Sequence, residues 1–380
     1  MKLFDKHRQF WVIFDTSQYP AYYRDVHDLL AAPVGHVLRY QYADAWLSPK
    51  AQQFVTSGTQ LPILLAYAQK NSEYKRGEKK SEPVDVTAPT VFILTRLGRM
   101  RNIVREGSKV YFDFEVGSYP DNAKTEAISG LLGPLVTANE VPWDKWVTVS
   151  ESQDLFREIS EGTDEDNWAR IVELLGRAPI QFANDAFWRL KGPFKKNGDL
   201  IKPALRKVRQ NSEVRRISSE YVVRENKSMH LQIVSSIPEQ VSADRPQYLV
   251  EAEVTGSEKL KVIGSGGYEL RHYDEKSIEY VSLEMSPFKT DAADLVLQTT
   301  PSSEIWTAGA KLDIRHSIRK SHWISLLGVV SGVVGLTLST LGASELFKND
   351  ALNGFKILMV GLLLLVATKY ILTGKLEFGK

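Results

Sequence analysis

The chain has 380 residues, with 48 basic and 46 acidic side chains and a formal net charge of +2. That balance excludes a polycationic nucleic-acid binder and an acidic tail protein, and leaves any such role to local charge. No cysteine is present, which excludes disulfides, thiolate nucleophiles and cysteine-ligated zinc or iron–sulfur sites.

The N-terminus, MKLFDKHRQFWVIFD, mixes charges into a short apolar run and has no signal-peptide core, so a cytosolic start is expected. FWVIF (10–14) reads as a strand, YRDVHDLLAA (23–32) as a helix stopped by Pro33, and GHVLRYQY (35–42) as an alternating strand. Ser48 followed by Pro49 is an N-cap with proline at the first helical position, opening PKAQQFV, and PILLAYAQ (62–69) is an apolar strand. NSEYKRGEKKSEPVDV (71–86) is a charged loop, after which TVFILTRLGRMRNIVREGSKVYFDFEVG reads as antiparallel strands turning at Glu106, Gly107 and Ser108. Residues 1–120 are therefore expected to form a strand-rich mixed α/β domain with a barrel-like sheet.

A helical connector with a basic tract is expected over 121–216. Within it DNWARIVELLG (166–176) places Trp168, Ile171, Val172 and Leu175 on one stripe, with Gly176 as a stop. Short strands at regular spacing predict an all-β, sandwich-like domain over 217–318. Its last strand, KLDIRHSI, runs almost directly into the C-terminal region, so movement of the domain would be transmitted mechanically.

In 319–380, Trp323 to Ala343 holds 21 residues without a charge, enough at about 1.5 Å per residue to span a bilayer core of roughly 30 Å. Leu352 to Thr373 is a second candidate, with Lys356 and Lys369 placed to snorkel and Tyr370 suited to a headgroup position. The short Ser344 to Ala351 loop makes the pair an antiparallel hairpin. Lys311, Arg315, Arg319 and Lys320 precede it and Lys375 and Lys380 follow, which by the positive-inside rule puts the large N-terminal part and the tail in the cytoplasm. The expected fold class is thus an α+β soluble region with a C-terminal two-helix transmembrane hairpin, spanning at 323–343 and 352–373.

Ser321, Ser325, Gly328, Gly332, Gly335, Ser339 and Gly342 are spaced alternately by four and three, a heptad seam of small residues. Such seams let backbones approach closely in lipid. One reading packs it on the second helix of the same hairpin; another joins helices of several subunits or lines a narrow polar path between them. The first segment holds no charge, which counts against a charged selectivity ring and leaves a hydrophobic or hydroxyl-lined gate.

Seven histidines are scattered without a zinc-binding spacing, GSGGY (264–268) reads as a turn or bulge, and neither G-x-S-x-G nor a kinase signature occurs. No catalytic residue, metal or cofactor is assigned, and no enzyme is expected. Two basic tracts are more informative. Arg99, Arg101 and Arg105 fall on alternate strand positions and should share one face, either a phosphate-binding surface or a solvated one. The second tract, 191–216, carries a net charge of +7; its candidate ligand residues are Lys195, Lys196, Arg206, Lys207 and Arg209. Trp188 and Phe194 place aromatic surface beside it, suited to stacked bases, while attraction to anionic lipid or a solvated linker is equally physical.

In this organisation the chain resembles the membrane effectors of bacterial anti-phage defence systems, the Hailong-type two-helix channel effectors in particular. The resemblance is one of architecture and carries no functional residue over. It implies a multi-pass inner-membrane effector, with the lipid bilayer as a partner. A nucleotide or oligonucleotide ligand, supplied by a signal-producing partner enzyme, would gate a pore built by a homo-oligomer, a tetramer being favoured. The alternative is a membrane-anchored scaffold or adaptor whose hairpin only localises a protein-binding β domain.

Overall fold

A computed structural model of the chain describes residues 9–15, 20–57, 60–70, 90–122, 130–132, 146–151, 163–177, 182, 185–236, 250–256, 258–264, 267–270, 275–283, 291–300, 311–319, 322–346 and 351–373. The expected loop at 71–86, positions 265 and 266 of the glycine stretch, residues 320 and 321, residues 347–350 of the expected Ser344 to Ala351 loop and the expected tail from 374 lie outside them.

The N-terminal layer comprises β1 (Phe10–Asp15), α1 (Pro20–Ala31), β2 (Val37–Ala43), a 3-10 turn (Asp44–Trp46), α2 (Pro49–Ser57), β3 (Pro62–Lys70), β4 (Thr90–Glu106), β5 (Lys109–Val116) and β6 (Val147–Ser150). They form one six-stranded sheet in the order β2-β5-β4-β3-β1-β6, parallel only between β1 and β3. β1 lies between β3 and β6 and is buried along its whole length, which is why its sequence is an unbroken apolar run and not an alternation. Ser48 caps α2, its Oγ accepting from the Ala51 N–H at 3.0 Å.

α3 (Asp164–Leu175) is capped by Thr163, whose side chain accepts from the Asp166 N–H. Its apolar stripe packs with Val26, Leu30, Tyr67 and Phe187 in a satellite core. Ten strands follow: β7 (Phe187–Lys195), β8 (Ala204–Gln210), β9 (Glu213–Arg224), β10 (Ser228–Ser236), β11 (Val250–Gly256), β12 (Leu260–Val262), β13 (Gly267–Leu270), β14 (Glu275–Ser282), β15 (Asp291–Thr300) and β16 (Lys311–Arg319). They make a four-stranded sheet, β12-β14-β10-β7, and a six-stranded one, β13-β11-β15-β16-β9-β8. Inward residues of the two sheets meet, as where Tyr280 of β14 and His316 Nε2 of β16 are hydrogen-bonded at 2.8 Å. The basic tract expected in a helical connector is therefore part of β7, β8 and β9.

The N-terminal sheet joins these strands through polar pins. Ile217 N–H donates to Asp113 Oδ2 at 2.7 Å, Val37 N–H to Ser219 Oγ at 3.2 Å, and Lys311 N–H to Asp28 Oδ1 at 2.7 Å. Asp113 and Ser219 are buried, and buried polar groups must find partners, so these contacts define how the layers meet.

The C-terminal region forms α4 (His322–Leu346) and α5 (Ala351–Thr373), packed antiparallel. Among the described residues no helix is long and apolar enough to cross a membrane. That finding corrects the spans expected at 323–343 and 352–373. It also corrects the transmembrane part of the fold class, the ion-channel assignment and the inner-membrane, multi-pass localisation. Among the described residues strand outweighs helix, and the described surface of the helices is not uniformly apolar. Thr337 and Thr340 are exposed on α4, bonding their own helix backbone, and Asn353 and Lys356 are exposed on α5. The side chains of 322–326, 329, 345, 351 and 369–373 are not among those described.

Candidate anion-binding site

Arg99, Arg101 and Arg105 do not form one surface. Along β4 and β5, Arg99 lies opposite Glu115 and Met100 opposite Phe114; the register then shifts, so that Asn102 faces Asp113 and Arg105 faces Val110. The extra residue at Arg101 is a β-bulge, which inverts the alternation and sends Arg105 to the side opposite Arg99. Arg101 Nε donates to Glu115 Oε2 at 2.6 Å, and Arg105 pairs with Asp44 at 2.7 Å. Two of the three charges are thus matched within the chain.

The tract at 191–216 is also divided. Arg206, half-buried on β8, lines a cleft of about 700 Å³ between the N-terminal sheet and the β sandwich, where Arg39, Arg216 and Arg315 are mixed with Asp28, Asp294 and Asp313. Lys207 and Arg209 are exposed on the edge strand β8, where charge discourages strand addition by another chain. Trp188 is buried and Phe194 stacks on His230 with ring centroids 5.4 Å apart, so neither is a free stacking platform.

Lys195 and Lys196 go to a different place. With Arg224, Lys227 and Arg319 they line a cavity of about 840 Å³ that has no acidic side chain in its wall. Local geometry puts each cation there. The turn after β7 closes through Lys195 N–H to Asp199 O at 2.8 Å and Gly198 N–H to Lys195 O at 2.9 Å, with Gly198 at φ +87° where only glycine is unstrained. Ser282, fully buried, ties down the β9–β10 turn: its Oγ donates to Arg224 O at 2.6 Å and accepts from the Lys227 N–H at 3.2 Å, while Asn226 N–H donates to Ser282 O at 2.9 Å. Arg319 arrives from the end of β16, which pairs parallel with β9 and sets Arg319 directly opposite Arg224.

Like charges opposite one another on neighbouring strands repel, and here nothing in the wall offsets them. Lys195 meets Asp199 at 3.6 Å, but both side chains are about 60% exposed, and such a pair contributes roughly 0–1 kcal/mol. Among the described residues Lys196, Arg224, Lys227 and Arg319 have no ion-pair partner. Ile201, Val223 and Met229 supply a buried apolar floor. A cationic rim over an apolar floor suits a molecule with one or more phosphates and a flat, weakly polar body.

The basic tract pointed to Lys195 and Lys196. Arg224, Lys227, Arg319 and the pinning Ser282 were missed, because no spacing signal links three separate strand ends; only the parallel register of β9 and β16 does. The small-residue seam turns toward α5 of the same chain. A Cβ on Gly342 would collide with the Leu358 backbone, and one on Gly335 would stand 3.0 Å from Gly361 O. Gly332 faces Thr368, and Ser331 Oγ lies 2.6 Å from Thr368 Oγ1. Gly328 is buried, Ser339 is half-buried, and the side chain of Ser325 lies outside the described set. Among the described residues no group of three or more His, Asp or Glu side chains could hold a metal ion.

No protein-family model matches the chain, and no curated protein does. Among solved structures, a family 123 glycoside hydrolase from Clostridium perfringens is similar over 26% of this chain and 22% of its own, at 8% identity and a TM-score of 0.19. A likeness of that size carries no argument about fold or activity.

Proposed function

We propose that the chain is a binding protein for a phosphorylated ligand, a nucleotide or oligonucleotide, whose occupancy of the basic cavity governs association of copies through the C-terminal helices. The observation that carries this reading is the cavity wall itself, five cations with no acidic side chain among them. Its position supports the coupling: Arg319 closes β16, and α4 begins at His322. The hairpin exposes Leu327, Val333 and Leu336 on α4 and Leu352 and Leu363 on α5, an apolar surface that a second copy would cover. A partner enzyme that makes the ligand belongs to this reading.

Fluorescence anisotropy of the full chain with a labelled short oligonucleotide, and calorimetry with ATP, test it. Binding should weaken with added salt as phosphates release their counterions. Replacing Lys196 and Lys227 with alanine should weaken it by about tenfold or more, from the loss of charge-assisted hydrogen bonds, whereas Lys207→Ala should leave it unchanged. Equal affinity in the double variant removes the site, and no binding of either probe removes the reading.

A further inference from the structure

A separate cavity of about 330 Å³ shares no lining residue with the basic one. Its wall holds Arg96 of β4, Tyr119, the first turn of α3 and, from β7, Arg189 and Lys191. Arg96 is fully buried, an unusual place for a guanidinium. Its Nε donates to Gly117 O at 2.8 Å and its Nη2 to Ala32 O at 3.0 Å, while the guanidinium carbon sits 3.5 Å from the centre of the Tyr119 ring. Nη1 has no partner. Arg189, 6% exposed, donates from Nη1 to Asp164 O at 3.3 Å and from Nη2 to Glu165 Oε1 at 3.1 Å, and its Nε has no partner.

Two buried guanidiniums thus share one cavity wall and one aromatic ring, each with an unmet donor. A buried donor left without an acceptor carries a desolvation penalty. The acids at hand do not meet it. Asp164 accepts from the Tyr119 N–H at 3.2 Å, and burial raises its carboxyl. Glu165 is mostly exposed and is shared between Arg189 and Lys191, the latter at 2.8 Å; Lys191 also reaches Glu275 at 3.3 Å. Burial pushes Arg96 down to about 9, a shift that Asp164 opposes and Arg189 adds to, and the cavity wall sets three cations, Arg96, Arg189 and Lys191, against the two carboxylates of Asp164 and Glu165. α3, twelve residues long, opens on the same cavity with its positive end.

We propose that this cavity is a second ligand site, for a phosphate dianion, either free phosphate or the phosphoryl group of a small metabolite, held by Arg96 and Arg189 at the start of α3 with Lys191 at the rim. The missing acceptors are those a tetrahedral oxyanion supplies, and arginine binds such groups through two donors at once. The bound anion would also tie β4, α3 and β7 together, so occupancy should stabilise the fold.

The test uses the full chain with Lys196→Ala and Lys227→Ala in place, so that the basic cavity is disabled and its failure is scored apart. Thermal unfolding and calorimetry are run with inorganic phosphate and with glycerol phosphate, against chloride at equal ionic strength. Phosphate well above its Kd should raise Tm by several degrees. Arg189→Gln should abolish the rise, and Lys191→Ala, at the rim, should weaken binding by about tenfold. Response to glycerol phosphate alone assigns a phosphoryl ester, and response to inorganic phosphate assigns the free ion. No rise with either probe overturns the proposal. So does a rise that Arg189→Gln preserves, or, should that variant not fold, an affinity that Lys191→Ala leaves unchanged.

Discussion

His36 and His316 are buried, and burial pushes each down to about 4. His316 Nδ1–H donates to Ile314 O at 3.0 Å, leaving Nε2 to accept from the Tyr280 hydroxyl at 2.8 Å; a proton on Nε2 would reverse that bond and place a charge in a buried site. In the unfolded chain both titrate near 6.5, so below that pH the unfolded state takes up protons first. Stability is then lost between pH 6.5 and 4, by about 2 kcal/mol per histidine at pH 5. Asp25 and Asp28 work the other way. Burial is the main cause that raises them from 3.8 to about 7 and about 6. The folded state therefore keeps protons that the unfolded state releases, and this contribution is present below 3.8 and lost as pH rises through 6 to 7. The two trends offset each other between pH 4 and 6.5. Asp25→Asn removes part of the offset, so its Tm should fall more steeply than wild type from pH 6.5 to 4.5, and His316→Gln should flatten the same limb. Parallel curves for wild type and Asp25→Asn would refute the account. The sequence showed that YRDVHDLLAA is helical. It did not show that Asp28, half-buried, would accept from the Lys311 N–H, since 283 residues separate the two.

At the scale of elements, strongly periodic or uniformly apolar segments were legible and their partners were not. FWVIF and PILLAYAQ read as strands because nothing polar interrupts them, and they became the parallel pair β1 and β3. Arginines at alternate positions of β4 implied one face, but a single bulged residue inverts alternation, and the sequence marks no bulge at Arg101. The four-and-three seam announced a close helix contact without saying with what. Its mate is α5, where Gly361 completes the approach: a Cβ there would stand 2.5 Å from Ser339 N and 2.8 Å from Gly335 O. Gly361→Leu should therefore pry the two helices apart, at a cost of roughly 1–3 kcal/mol for overpacking. The absence of native cysteine makes a cross-link an unambiguous readout. Cysteines at Ser331 and Thr368, whose hydroxyls lie 2.6 Å apart, should form a disulfide readily, and adding Gly361→Leu should cut its yield several-fold. Undiminished yield would mean that the glycine contact does not hold the hairpin together.

For the whole molecule, the proposed function requires the basic cavity and the hairpin to be thermodynamically linked. Ligand can shift association only by as much as it prefers one assembly state over another, and the reverse coupling must be equal. β16 is the physical connection. Its first residue is held by Asp28 of α1, its middle bonds to β14 through His316, and its last places Arg319 beside Arg224 three residues before α4. An anion that draws Arg224 and Arg319 together relieves their repulsion and fixes the strand end from which α4 departs. Light scattering of the full chain should therefore report a change in mean mass on adding the phosphorylated ligand, and Arg319→Glu should abolish that change while the ligand-free mass stays the same. Leu336→Glu with Leu363→Glu, both on outer faces about 60% exposed, should lower the mass at every ligand concentration. In that variant ligand affinity should drop only by the coupling factor, about 5–150-fold for ordinary linkage, and it should cease to depend on protein concentration. If affinity in the hairpin variant equals that of wild type at all protein concentrations, cavity and helices are independent and the coupling is absent.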